Sequence, residues 1–125
     1  NEYVNFTGFI PDAYNLIGIT DLSVNASFGT EATSISLLEG MSLGIPAVVS
    51  DYGGNPGVIF PGENGFLFKT RDLNDMADKI RMIMDDKELY ASMREKAKKI
   101  FNEKFTAQIY AQNIEQVYED VYNRG

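Results

Sequence analysis

Over its first 68 residues the chain alternates short strand-like runs with helical ones, and after Lys69 it carries helical periodicity alone. That order constrains the fold more than any other feature. Tyr3-Val4-Asn5-Phe6-Thr7 alternates, is rich in strand formers and is ended by Gly8. Pro11-Asp12 opens a short helical stretch through Tyr14, Leu16 and Ile17. Leu22 to Ala26 is a second strand candidate, and Ser27 to Ser34 is polar and loop-like. Ile35 to Leu43 predicts a helix stopped by Gly44, and Pro46 leads into Ala47-Val48-Val49, a buried strand. Asp51 to Gly57 reads as a glycine-rich loop. Val58-Ile59-Phe60 runs into the turn Pro61-Gly62-Glu63-Asn64-Gly65, and Phe66-Leu67-Phe68 is the last short strand. Apolar stripes then recur at helical spacing from Leu73 to Met84, from Leu89 to Phe101 and, behind a Thr106 cap, from Ile109 to Val121. Strands that alternate with helices before a helical close predict an α/β fold with a mostly parallel sheet of about four strands and C-terminal helices.

The charge is divided unevenly. Residues 1–68 hold seven acids and neither Lys nor Arg, while the rest balances eleven acids against all eleven bases, so the first half carries the whole net charge of −7. This disfavours nucleic acid as a partner. An anionic ligand bound by the first half has to rely on backbone N–H groups, helix ends or cations from elsewhere. The chain has neither cysteine nor histidine. Disulfides, thiolate zinc sites, a cysteine nucleophile and the commonest general base are therefore excluded. With 125 residues, 44% of them hydrophobic, the chain can build a core, and it contains no apolar run of about 18 residues that would span a membrane. Asn1 to Ile10 has neither a basic start nor a long apolar stretch, so no secretory signal is expected. A cytoplasmic location, at most peripheral to a membrane, is the expectation.

Chemistry concentrates in Ser27 to Ser50. Glu31 and Glu39 are separated by seven residues, with Thr33-Ser34-Ile35-Ser36 between them at the start of the predicted helix. A helix start presents unpaired N–H groups and a partial positive charge, and so can hold a phosphate without a basic residue. The two carboxylates suit sugar hydroxyls, which donate hydrogen bonds to them, rather than phosphates, which repel them. One glutamate can then face a sugar on one side of a diphosphate and the other a ribose on the opposite side. Taken singly, these residues have plainer readings. Ser36-Leu37-Leu38-Glu39 matches a capping box. Glu31 reads as a solvated loop acid, Gly53-Gly54 as a turn, Phe9 and Ile10 as packing residues, and Tyr110, Tyr118 and Tyr122 as packing residues rather than a binding surface.

The pattern Glu-x7-Glu followed by Gly-Met-Ser-Leu-Gly-Ile-Pro-Ala-Val-Val-Ser is similar to the donor-site signature of family-4-type retaining glycosyltransferases of the GT-B fold. Val4-Asn5-Phe6-Thr7-Gly8, Asp21 to Ser27, Tyr52-Gly53-Gly54-Asn55-Pro56 and Pro61 to Leu67 resemble further motifs of that family in the same order. The resemblance implies a Rossmann-like sheet and a nucleotide-diphosphate sugar as donor substrate, with no metal and no other cofactor. Glu31 would be catalytic, contacting the transferred sugar and stabilising charge at the reacting centre. Glu39 would hold the ribose hydroxyls, and the N–H groups of Ser34, Ile35 and Ser36, beside Thr33, would bind the distal phosphate. Gly8, Phe9 and Ile10 would border the nucleobase. One position departs from the family: Ser34 stands where many members have glycine. Its hydroxyl can add a phosphate hydrogen bond or narrow the loop.

The resemblance further implies that residues 1–125 are one partial nucleotide-sugar-binding domain. Two strand–helix units carrying an Arg and a Lys for the diphosphate, and an acceptor-binding domain, would be its missing partners. The family sheet has the order 3-2-1-4-5-6. Strand 3–7 would then lack its only neighbour and strand 22–26 one of two, so the exposed edges would pair with each other or with a second copy of the chain. Two other readings remain beside this one: a flavodoxin-like regulatory or interaction module, against which the absence of lysine from residues 1–68 weighs, and a sugar-nucleotide epimerase-like domain.

Overall fold

The computed structural model describes residues 2–29 and 32–124. Three parallel strands form the sheet, β1 (Ser23–Asn25), β2 (Ala47–Ser50) and β3 (Gly65–Phe68), in the spatial order β1-β2-β3. The register pairs Val24 with Val48 and Val48 with Phe66. Six helices complete the described chain: α1 (Ala13–Gly18), α2 (Ile35–Ser42), α3 (Asn55–Val58), α4 (Leu73–Met84), α5 (Lys87–Lys104) and α6 (Ala107–Asn123).

β2 is buried along its whole length because helices cover both faces of the sheet. Side chains alternate across a strand. Ala47 and Val49 therefore join Leu37 and Met41 of α2, Val58, Ile59 and Ile100 in one core. Val48 joins Phe68, Ile83 of α4 and Met93 of α5 in a second core on the opposite face. Gly65 is glycine because β3 pairs so closely with β2: a Cβ there would stand 2.0 Å from the Ala47 carbonyl oxygen. The late helices are capped as the residue types dictate. Asp72 accepts from Asn74 and Asp75 N–H, Asp86 from Glu88 and Leu89 N–H, and Thr106 from Ile109 N–H.

Three expectations fail. Residues 3–7 form no strand, and Tyr3 and Phe6 are 88% and 96% exposed. Among the described residues no strand lies against the free edge of β1, so residues 3–7 do not re-pair with it. An isolated strand has no neighbour to satisfy its N–H and C=O groups and no face to bury, which removes the two terms that would order it. The sheet thus has three strands, not four. The glycine-rich loop 51–57 turns at Asn55 into the short helix α3, which Pro56 favours at its second position. Finally, α6 forms as its stripe predicts, but the stripe is not covered. Tyr110, Tyr118 and Tyr122 are 69%, 72% and 85% exposed, so they do not pack in this chain.

Candidate functional site

The site grows from the connection between β1 and α2, at the carboxyl ends of the strands, where doubly wound sheets place their ligands. Asn25 Oδ1 accepts from Ser27 N–H at 2.8 Å and bends the chain out of β1. Ser50 Oγ, at the end of β2, donates to the Ser27 carbonyl at 2.7 Å, and Tyr52 Oη donates to the Gly29 carbonyl at 3.0 Å. Thr30 and Glu31 lie outside the described residues, so the position of Glu31 rests on its motif. The chain resumes at Ala32, packed against Gly54 so tightly that a Cβ on Gly54 would stand 1.6 Å from the Ala32 carbonyl oxygen. The loop after β2 thereby braces both ends of the segment that contains Glu31.

At the start of α2, Ser34 is the N-cap in ordinary extended conformation (φ −79°, ψ 111°), which any residue adopts; nothing there requires glycine. Its side chain does not cap the helix; it is buried, with Oγ 3.0 Å from Ser36 Oγ. Among the described residues nothing accepts from the N–H groups of Ile35, Ser36 or Leu37. Leu37 and Met41 sink the opposite side of the helix into the core. Ile35, 72% exposed, and Ser36 face solvent with these free donors, an arrangement suited to an anion. Thr33 is exposed beside them, 3.4 Å from where a Gly54 Cβ would lie.

Glu39 is half-buried one turn further along α2, on the face of Ile35. Because Ser34, not Ser36, is the N-cap, Ser36 sits inside the helix and the capping-box reading of Glu39 fails. Among the described residues nothing donates to the Glu39 carboxylate. The structure thus gathers Thr33, Ser34, Ile35, Ser36 and Glu39 on one helix start. Gly8, Phe9 and Ile10 are not brought onto that helix start. They lead into α1, whose Ile17 approaches Gly40 and whose Tyr14 Oη lies 3.4 Å from Ser42 Oγ. Phe9 is 91% exposed, so it is not a packing residue here.

Two buried asparagines hold the loops that frame the site. Asn55 Nδ2 donates to the Ser50 carbonyl at 3.0 Å, while its Oδ1 is buried without a partner. Asn64 accepts from Phe60 N–H at 2.8 Å and donates to the Val58 carbonyl at 3.0 Å, which makes the Pro61 to Gly65 turn a structural lock. Asp51 accepts from the Thr70 hydroxyl and from Thr70 N–H, and these bonds hold its carboxyl below the usual carboxylate range.

Sequence reasoning missed a cavity of about 660 Å³ beside this site. Thr33, Leu38 and Gly54 line it together with Lys104, Phe105 and Tyr110. Its lining is mostly apolar, so it suits an uncharged group better than a diphosphate. The one sequence signal was Lys104 at the end of α5 beside the apolar Phe105, and only the tertiary fold brings that pair to Thr33. Among the described residues no cluster of three or more acids could hold a metal ion, and no helix is long and apolar enough to cross a membrane.

The model of the glycosyl transferases group 1 family matches residues 1–100. The chain is 31% identical over 120 residues to N-acetyl-alpha-D-glucosaminyl L-malate synthase of Bacillus anthracis, covering 96% of this chain and 31% of that enzyme. It superposes on HepE of Anabaena in complex with UDP with a TM-score of 0.85 at 27% identity, covering 94% of this chain and 33% of HepE. Sucrose-phosphate synthase of Thermosynechococcus elongatus superposes with a TM-score of 0.84 at 23% identity, over 99% of this chain and 31% of that one, a likeness of fold alone. The chain therefore spans about a third of the length of these relatives. With four-fifths of its length inside the family model, the chain belongs to the glycosyl transferases group 1.

Proposed function

We propose that the chain is the donor-binding part of a retaining, family-4-type glycosyltransferase and holds a nucleoside-diphosphate sugar at the start of α2. The observation that carries this reading is the free N–H row of Ile35 and Ser36, in a half-chain without bases, with Glu39 one turn away. The ligand class is supported by HepE, which binds UDP in one complex and UDP-glucose in another that superposes with a TM-score of 0.81.

The N–H groups of Ser34, Ile35 and Ser36 take the distal phosphate, with the Thr33 hydroxyl beside them. Glu39 accepts from the ribose hydroxyls, and Gly8, Phe9 and Ile10 border the base. Glu31 faces the transferred sugar and stabilises the positive charge that develops as the C1–oxygen bond to the phosphate breaks. The acceptor oxygen bonds to C1 on the face the phosphate leaves, and the acceptor proton passes to the departing phosphate oxygen. No metal takes part. In a complete enzyme, cations and an acceptor-binding domain outside this chain finish the site, and the protein acts in polysaccharide synthesis in the cytoplasm, at most peripheral to the membrane. Residues 1–125 alone are inactive, and the free β1 edge favours association with a second copy in isolation.

The test is to incubate the complete enzyme with UDP-glucose and candidate acceptors and follow the anomeric protons by NMR. Transfer with retained configuration supports the reading. An inverted product overturns the retaining assignment, and epimerised donor without transfer favours the epimerase-like alternative. Turnover by residues 1–125 alone contradicts the claim of an incomplete site.

A further inference from the structure

Arg71 is the only non-glycine among the described residues with a positive φ, 70°. It is third in the turn Lys69 to Asp72, closed by Asp72 N–H on the Lys69 carbonyl at 2.9 Å. That position in such turns favours glycine or asparagine, because the left-handed conformation costs a residue with a Cβ. Strain of this kind persists only where the surroundings over-determine it. Here they do. Asp51 binds Thr70 through both its N–H and its hydroxyl, Asp75 Oδ2 accepts from Lys69 N–H at 2.7 Å, and Asp72 is anchored as the cap of α4.

The result is that a side chain at the end of β3 reaches across the end of β2 to the loop after β1. The Arg71 guanidinium carbon lies 3.9 Å from the centroid of the Phe28 ring, within range of a cation–π contact. The backbone on either side of Phe28 is already tied to β2 and its following loop, by Ser50 to Ser27 and by Tyr52 to Gly29. All three strand ends thus converge on one short segment, which leads to Thr33 and the start of α2. Phe28 is 58% exposed, so its ring is held by this stack more than by burial.

We propose that Arg71 is a positioning residue for sugar transfer: by stacking on Phe28 it fixes residues 27–29, where the chain leaves β1 toward the donor site. The inference rests on the donor-site reading above. Arg71→Gly tests it cleanly, because glycine accepts the turn without strain and removes only the stack. A merely structural role would make that variant less stable. The positioning role predicts equal or greater thermal stability together with impaired catalysis.

In the complete enzyme, an exposed cation–π contact corresponds to about a two- to fivefold shift in an equilibrium. Arg71→Gly is therefore expected to speed amide exchange at residues 27–29, and to lower kcat, by about two- to fivefold, with UDP affinity changed less than about twofold. Phe28→Leu should reproduce both effects, and the double variant should be no worse than either single one. Unchanged exchange and kcat in Arg71→Gly, or additive losses in the double variant, would overturn the proposal. Faster exchange in a protein whose wild type transfers no sugar would leave the latch standing and refute the transferase reading instead.

Discussion

Gly54 and Ala32 touch backbone to backbone: a Cβ on Gly54 would lie 1.6 Å from the Ala32 carbonyl oxygen and 3.4 Å from Thr33 Oγ1. The φ of Gly54 is −83°, so its glycine is demanded by contact and not by conformation. Gly54→Ala must push the loop after β2 away from Ala32. Overpacking of this kind costs about 1–3 kcal/mol. The variant should unfold at lower denaturant and bind UDP-glucose more weakly. An unchanged affinity would mean that the loop does not shape the donor site.

Asn64 is fully buried and serves the Phe60 N–H and the Val58 carbonyl at once. Asn64→Ala leaves the buried Val58 carbonyl and the part-buried Phe60 N–H without that partner, and a loss of this kind costs about 1–3 kcal/mol at a buried group. Urea unfolding should show a drop of at least about 1 kcal/mol. A change below about 0.5 kcal/mol would contradict the assigned role.

The ionised form of Asp51 is favoured in the fold by its bonds from Thr70. A depressed folded-state pKa contributes stability above the unfolded value, about 3.9, and that contribution is lost as pH falls through the folded value. Wild type should therefore melt above Asp51→Asn at neutral pH, and the gap should close on acidification below about pH 4. Thermal melts from neutral pH into that range check this. A gap independent of pH would assign the effect to packing.

Much of the fold was legible because its signals are local. The caps at Asp72, Asp86 and Thr106, the stop at Gly44 and the apolar Ala47-Val48-Val49 each depend on neighbours in sequence. The alternation of residues 3–7 was equally local, but a strand needs a partner, and among the described residues no strand lies beside 3–7. Of the site, the helix start was readable from Thr33 to Ser36. The brace of Gly54 on Ala32 and the stack of Arg71 on Phe28 join residues far apart in sequence, and the cavity is lined by Thr33 and Lys104 together. No periodicity encodes such contacts.

Glu31 has the clearest chemical role in the proposal. Glu31→Gln keeps the shape and removes the charge that would stabilise the reacting centre. Loss of one such stabilising group typically costs about 10²–10³ in kcat. A fall of that size with nearly unchanged UDP affinity is expected from single-turnover and binding measurements. A loss confined to affinity would move Glu31 from catalysis to donor binding.

On the proposed reading, the start of α2 with Glu39 holds the nucleotide half of the donor. Its most direct test is a titration of UDP, GDP and ADP against the complete enzyme by ligand-observed NMR, compared with Glu39→Ala. Selective binding of one nucleotide, weakened about tenfold or more in the variant by loss of hydrogen bonds to a charged group, is the predicted result. Equal affinity in wild type and Glu39→Ala would contradict it and place the ribose elsewhere.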